Sequence, residues 1–470
     1  MRRLGAAIFI LLGAAPFAAG AAHAATFTVN SELDATDGTC GPAPAGCTLR
    51  EAIEAAVATP GRDAIAFDPG VFPPAGVAPL ITLQTPLPVI ADPAGTVIDG
   101  KGATVTVNGG GQQRALVFES AAGVPLEKVT VANLLVINVT GNAIEVCGGV
   151  SLACVEDVTG VLFEHVAIGG VGSGIVVRGG VISKLRVVGA LISNHQANGI
   201  LVVAERTLLG ARVEGTSVLG GTSGIDLVGF ERVVGATVVD SVASRCSHSG
   251  IVIQGQDLIG TKVNEVVTTL NSVAGGIRIL ADGVTTKTTV TNAVTSASGA
   301  NGVEVFGTVG NSAMTIRNVT AEGSSENGVR VFGPTDGATF AKLVMTGNPT
   351  GLRLTETGAG FMHAQLSDVV SADNMGGIVL VGGANTLKKI HVAANFNSGM
   401  LLSGSGGNVV EKSRALGNGS VGIGTDSDFN TIRKNVALGN KRDLSDDHPT
   451  CAANVWQKNV FRSGSAPCIH

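Results

Sequence analysis

The sequence predicts an all-β parallel β-solenoid, and three observations predict it. The first is a phrase, small-polar–Gly–apolar–x–apolar, that returns at a nearly fixed interval. It reads Ser173-Gly174-Ile175-Val176-Val177, Asn198-Gly199-Ile200-Leu201-Val202, Ser223-Gly224-Ile225-Asp226-Leu227 and Ser249-Gly250-Ile251-Val252-Ile253, and its glycine recurs at 276, 302, 328, 351, 377, 399 and 422. Successive anchors lie 22 to 26 residues apart, the length of one coil in a stacked repeat. The second is the alternation after each glycine, where positions +1 and +3 are Ile, Val or Leu, as in a strand with one buried side. The third is the absence of a helix-length apolar stripe, since a glycine in every repeat would cost a helix roughly 1 kcal/mol. Each anchor glycine serves either a positive φ or a close backbone approach. Eleven anchors at about 4.8 Å per coil give a rod of about 50 Å.

Residues 1–24 have the order of a secretory leader: Arg2 and Arg3, an apolar run from Leu4 to Ala15, then the small-x-small site Ala22-His23-Ala24. No later apolar run reaches membrane-spanning length without interruption. A soluble, periplasmic or secreted product is expected. Three local cysteine pairs follow, Cys40 with Cys47, Cys147 with Cys154 and Cys451 with Cys468, and in an exported chain these are expected as disulfides. Cys246 is left over, as a small buried hydrophobe.

Residues 25–115 stand apart from the repeats, with proline clusters and one helix expected over Thr48 to Ala58. Thr48 caps it and Glu51 closes a capping box. Leu49, Ile53, Ala56 and Val57 make its apolar side. A solenoid has to cover its terminal core and terminal strand edge, and this helix is suited to that. The repeats then occupy 116–440, and 441–470 form a C-terminal cap around Cys451 and Cys468.

The phrase Cys47-Thr48-Leu49-Arg50-Glu51-Ala52-Ile53 resembles the motif of the CSLREA-type N-terminal module, found ahead of right-handed parallel β-helices in exported bacterial proteins. Thr26-Phe27-Thr28-Val29-Asn30 resembles its opening strand, and Val97-Ile98-Asp99-Gly100 the start of the first coils. The C-terminal run Gly439-Asn440, Asp443-Leu444, Asp446-Asp447, Cys451, Asn454, Trp456, Asn459, Phe461 and Pro467-Cys468-Ile469 is similar to the end of such chains. The resemblance implies a right-handed parallel β-helix of the pectin-lyase-like kind, and little about activity.

In stacked coils, functional residues are sought in columns. The outward +2 column reads Val176, Leu201, Asp226, Val252, Arg278, Glu304, Arg330, Arg353, Val379 and Leu401. Arg278, Glu304 and Arg330 form an alternating charge ladder, worth about 0.2–1 kcal/mol per neighbouring pair. Arg330 beside Arg353 breaks the alternation, and an anionic polymer would neutralise that pair. A second column, ten or eleven residues before the anchor, reads Glu214, Asp240, Glu265, Asn292 and Arg317. Three acids on consecutive coils repel one another unless they are solvated or share a cation, and oxygen ligands of this kind suit Ca2+. The pectin-lyase-like resemblance implies calcium held by acids on adjacent coils, with Lys262 or Arg245 near in sequence to polarise a uronate or act as base. The +4 residues Val203, Val228, Leu280, Phe306, Phe332 and Val381 are expected to fold in at a corner, or else to form an apolar strip for a partner.

The histidines share no column. His195 and His248 fall in turns and are expected to be exposed. Asp446-Asp447-His448 lies within the C-terminal pattern, where a capping role is expected. Polygalacturonase-type signatures, a nucleophile elbow and a phosphate loop are lacking. The net charge of −5 is spread without a basic run, so nucleic acid is not an expected partner.

Two functions fit these features. One is a non-catalytic surface or periplasmic scaffold, a monomer, binding polysaccharide or cell-surface components. Aromatics make up 3% of the chain and Tyr is absent, so sugar-stacking platforms are few. The other is a polysaccharide lyase or glycoside hydrolase acting through the acidic column.

Overall fold

The computed structural model describes residues 24–41, 46–74, 79–150, 153–355, 360–448, 450–451 and 453–469. The expected leader lies, apart from Ala24, outside them. The chain winds as a right-handed parallel β-helix of about fourteen coils, a rod of roughly 65 Å at the usual strand spacing.

Each coil has four sides. In one of them the strands are Asn198–Ala204, Thr207–Leu209, Arg212–Glu214 and Ser217–Gly220. Each pairs in parallel with the next coil, Asn198 opposite Ser223, Thr207 opposite Arg232, Arg212 opposite Thr237 and Ser217 opposite Val242. We call the first strand the anchor side and number the others second to fourth. On the third side the ladder starts at Thr26–Val29 and ends at Val455–Gln457, so parallel pairing runs through both terminal segments as well as the repeats.

The anchor glycines serve close approach rather than positive φ. A Cβ on Gly250 would stand 2.7 Å from the Gly276 carbonyl oxygen of the next coil, and one on Gly328 2.7 Å from that of Gly351. The +1 and +3 residues fill the core: Ile200, Val202, Ile225, Leu227, Ile251 and Ile253 are fully buried. The corners are where φ turns positive. Between the third and fourth sides a single residue per coil bends the chain, Gly215, Asp240, Glu265, Asn292 and Asn318 in succession, all with φ between 49° and 57°. This left-handed conformation favours Gly and Asn.

The helix spans Leu49–Ala58 behind a complete Thr48–Glu51 capping box and packs on the strands Thr26–Val29 and Asp63–Phe67. Leu49, Ala52, Ile53 and Ala56 are buried, whereas Val57 faces solvent. At the other end Trp456 is buried and donates from Nε1 to Asp446 Oδ2 at 3.0 Å. The three expected disulfides are all present, and Cys246 is free and buried.

Candidate functional site

The outward side chains of the anchor side form a shallow groove along the rod. Strand register aligns Asp226, Val252, Arg278, Glu304, Arg330 and Arg353 on consecutive coils. Turn residues preceding the anchor glycines, among them His248, Asn301, Glu326 and Thr350, line the groove beside the charged column. Two cavities of about 300 and 400 Å³ share Glu326 and Arg330, so the depression is continuous from His248 to Arg353.

The charge ladder read from the sequence is present. Glu304, buried at the bottom of the groove, accepts from Arg278 Nε at 3.0 Å and from Arg330 Nη1 at 3.2 Å. Asn301 Nδ2 donates to the same carboxylate at 3.3 Å, and Asn327 Nδ2 donates to Asn301 Oδ1 at 2.7 Å. Arg353 is exposed and has no ion pair among the described residues. Two guanidinium groups, Arg278 and Arg330, therefore share one buried carboxylate, while Arg353 on the next coil stands apart and the exposed Glu326 lies on the rim.

Asp226 differs from its neighbours. Its Oδ1 is enclosed and has no hydrogen-bond partner. Burial pushes its carboxyl up to about 6, against the opposing pull of the Ser223 hydrogen bond and the more distant Arg278 charge. Cys246 lies close by, and burial, then the Asp226 charge, pushes its thiol up to about 12, which leaves it inert as a nucleophile. His195, expected at the surface, is buried. Desolvation lowers its pKa and keeps it neutral, with Nε2 3.4 Å from the Ser223 carbonyl oxygen. His248 is exposed, as expected of a turn residue, and lines the groove.

The +4 residues are not folded inward. Leu280, Phe306, Phe332 and Val381 are half-buried on the outer face of the anchor side, next to the charged column. Phe306 and Phe332 stack with centroids 5.0 Å apart and planes 5° from parallel, and the Arg330 guanidinium carbon lies 5.5 Å from the Phe332 centroid. Rings stacked from coil to coil present edges, not faces, to their surroundings.

The acidic column does not keep one register. Glu214 pairs with Val239, and Val239 with Asn264, so Asp240 and Glu265 stand one residue further on. The reason is the corner: Gly215 takes the left-handed position in Glu214's coil, and Asp240 and Glu265 take it in the next two. Glu214 instead sits in the third-side strand, where the Arg212 Nε hydrogen bond at 2.7 Å holds its carboxyl below the usual range. Asp240 and Glu265 remain neighbours, exposed at one corner. Arg245 occupies the corner at the far end of the fourth side, and Lys262 begins the third-side strand that Glu265 follows. Each is thus a strand's length from those acids. Among the described residues no group of three or more His, Cys, Asp or Glu side chains is placed to hold a metal ion. Asp226 was visible in the sequence as the one acid among apolar +2 neighbours. What the sequence did not carry was its enclosure.

Residues 275–466 match a family model described as a right handed beta helix region. No curated protein matches the chain. Among solved structures, the chain is similar to the periplasmic alginate epimerase AlgG, with 10% identity over 80% of this chain and 78% of that one and a TM-score of 0.35. It is similar to the Azotobacter vinelandii mannuronan C-5 epimerase AlgE6 A-module, with 13% identity over 89% and 94% and a TM-score of 0.31. It is also similar to the catalytic unit of a GH87 alpha-1,3-glucanase from Streptomyces thermodiastaticus strain HF3-3, with 12% identity over 89% and 64% and a TM-score of 0.33. No substrate and no site follows from likenesses of this size. No helix among the described residues is long and apolar enough to cross a membrane.

Proposed function

We propose that this chain is an exported, non-catalytic β-helix scaffold that binds an acidic polysaccharide along the anchor-side groove. The observation that carries the reading is the shortage of carboxylate there: three guanidinium groups stand against two carboxylates, Glu304, which Arg278 and Arg330 divide, and the exposed Glu326, and Arg353 has no ion pair among the described residues. Guanidinium groups recognise carboxylates by paired, charge-assisted hydrogen bonds. A shallow groove open along its length suits an extended polymer better than an enclosed small ligand. Three disulfides fit an oxidising compartment, periplasmic or extracellular. Isothermal titration with polygalacturonate and with neutral dextran tests the reading. Polygalacturonate is expected to bind, and the Arg330→Gln, Arg353→Gln double variant to lose about tenfold or more in affinity. Equal affinity for dextran, or an unchanged double variant, overturns it.

Asp226 favours a second reading, a polysaccharide-active enzyme. A carboxyl held up to about 6 in the outward column of the anchor side, one coil before the groove, suits proton transfer near neutral pH. Its nearest fellow acid along the column, Glu304, is three coils away, about 14 Å at the usual strand spacing. That exceeds the roughly 6.5–9.5 Å between the carboxyl pair of an inverting glycosidase. Following absorbance of unsaturated uronates and release of reducing ends separates the two readings. Turnover by the wild type that disappears in Asp226→Asn would replace the scaffold with the enzyme.

A further inference from the structure

The corner between the third and fourth sides changes character along the rod. After Asn292 and Asn318 its left-handed residues are Lys342 and Asp368, then Lys389, Lys412, Lys434 and Lys458 on four successive coils, these four with φ between 54° and 57°. All four lysines are exposed. Two independent penalties meet in them. A side chain with a Cβ is disfavoured in this conformation, and like charges on adjacent strands repel. On other coils the same corner uses Gly189, Gly215, Asn292 and Asn318, which avoid both penalties, while Asp240 and Glu265 carry them for two coils only. Nothing in the coil geometry therefore requires lysine.

The acids nearby do not offset this charge. Glu411 is taken by Lys388 at 3.3 Å and Arg433 at 3.0 Å, and Asp368 lies 3.6 Å from Lys389 at one end of the row. Lys412, Lys434 and Lys458 have no ion pair among the described residues. Arg414 and Arg433 flank the row on the adjoining sides. The spacing is held from inside. Ser413 N–H donates to Asn435 Oδ1 at 2.9 Å, Asn435 N–H to Asn459 Oδ1 at 3.0 Å, and Asn459 Nδ2 to the Ile432 carbonyl at 2.7 Å. Ile390 N–H likewise donates to Ser413 Oγ at 3.1 Å, so each lysine precedes a residue bonded to a neighbouring coil, and the row is a stiff comb of cations one strand spacing apart.

We propose that the Lys389–Lys412–Lys434–Lys458 row is a docking edge for a linear acidic polysaccharide lying parallel to the solenoid axis, with one carboxylate or sulfate per coil. A sugar ring is about as long as the rise of one coil, about 4.8 Å, so a polymer with one anionic group per ring keeps step with the row. Duplex DNA carries one charge per about 1.7 Å of axis on two strands and falls out of step with a single file. The exposed aromatics of these coils, Phe396 and Phe429, stand at the neighbouring corners and offer the row no base-stacking surface. This edge is separate from the anchor-side groove and does not rest on that reading.

The test uses the full exported chain carrying Arg330→Gln and Arg353→Gln, so that the groove contributes nothing. Into it go Lys389→Asn, Lys412→Asn, Lys434→Asn and Lys458→Asn, which remove four charges and keep a residue suited to the left-handed corner. A control carries Lys101→Asn, Lys128→Asn, Lys184→Asn and Lys287→Asn, with the same change in net charge. Binding to polygalacturonate, dextran sulfate and a DNA duplex is measured across a salt series, with thermal midpoints as the check on folding. The parent and control are expected to bind both polysaccharides. The row variant is expected to lose about tenfold or more, with a salt slope shallower by about 3, and to melt no lower than the parent. No binding by the parent, equal losses in control and row variant, or tighter binding of DNA than of either polysaccharide overturns the proposal.

Discussion

Ten buried side-chain nitrogens or oxygens between His195 and Arg330 have no hydrogen-bond partner, whereas among the described residues from Val331 to Ser427 there are none. Half of those ten atoms belong to corner side chains, Thr261, Asn271, Thr288, Ser298 and Ser324. In the later coils Asn348, Asn374, Asn395, Asn418 and Asn440 form an inner ladder, each amide donating to the oxygen of the next at 2.8–3.2 Å. The equivalent positions in the middle coils are Cys246, Asn271, Ser298 and Ser324. There Asn271 Nδ2 and both serine hydroxyls are left unpaired. A serine is too short to bridge the rise of a coil, and an asparagine ladder works only where it is continuous. The groove with Glu304 and Arg330 is built on the under-paired coils, and Lys389 and Lys412 of the row on the fully paired ones.

The strongest way to break this comparison is to interrupt the ladder. Asn395→Ala removes bonds to the Ser371 carbonyl and Asn418 Oδ1, both 2.9 Å, and the acceptor for Asn374 N–H and Nδ2. Several buried groups are orphaned together, so a loss of about 3–5 kcal/mol is expected in chemical denaturation. Ser298→Ala, which removes a hydroxyl already without a partner, should stay within about 0.5 kcal/mol. Similar losses for the two would mean that the ladder adds nothing.

Next in size is Asp226, on the under-paired side. Its folded pKa of about 6 lies above the ordinary 3.8, so the folded chain binds the extra proton. The stability this brings is complete below about pH 3.8 and is lost as pH rises through about 6. Asp226→Asn should therefore raise stability at pH 7.5 by up to about 3 kcal/mol, and the gain should vanish toward pH 4. A gain that does not change with pH would show that Asp226 is not held protonated in the fold.

Much of this architecture was legible because it repeats. The anchor glycines gave the coil, Thr48 and Glu51 gave the helix start, and local spacing gave three disulfides. Columns were harder to read. One corner residue, Gly215, displaced Glu214 from the register of Asp240, and no apolar pattern marks a left-handed corner. The lysine row is invisible along the chain because its members lie 23, 22 and 24 residues apart. A sequence with no basic run thus folds into a basic edge. The burial of His195 depends on its ring packing against Gly221 in the turn of the next coil, which periodicity does not encode.

The smallest effect tests whether the two regions differ only by this one side chain. Ser298 lies opposite Gly276, 3.1 Å from the position of an added Cβ, much as Asn348 Nδ2 lies 3.0 Å from that of Gly328. Asn271 Nδ2 stands 2.8 Å from that of Gly250, so one middle coil already holds an asparagine at this position. Ser298→Asn together with Ser324→Asn would place an acceptor beside the unpaired Asn271 Nδ2 and carry the Asn348 ladder unbroken toward Cys246. One satisfied buried amide is worth about 1 kcal/mol, and a rise of that size in unfolding free energy is the expected outcome. A fall would mean that the middle coils differ in backbone as well as in sequence, and that their hydroxyls are there because asparagine does not fit.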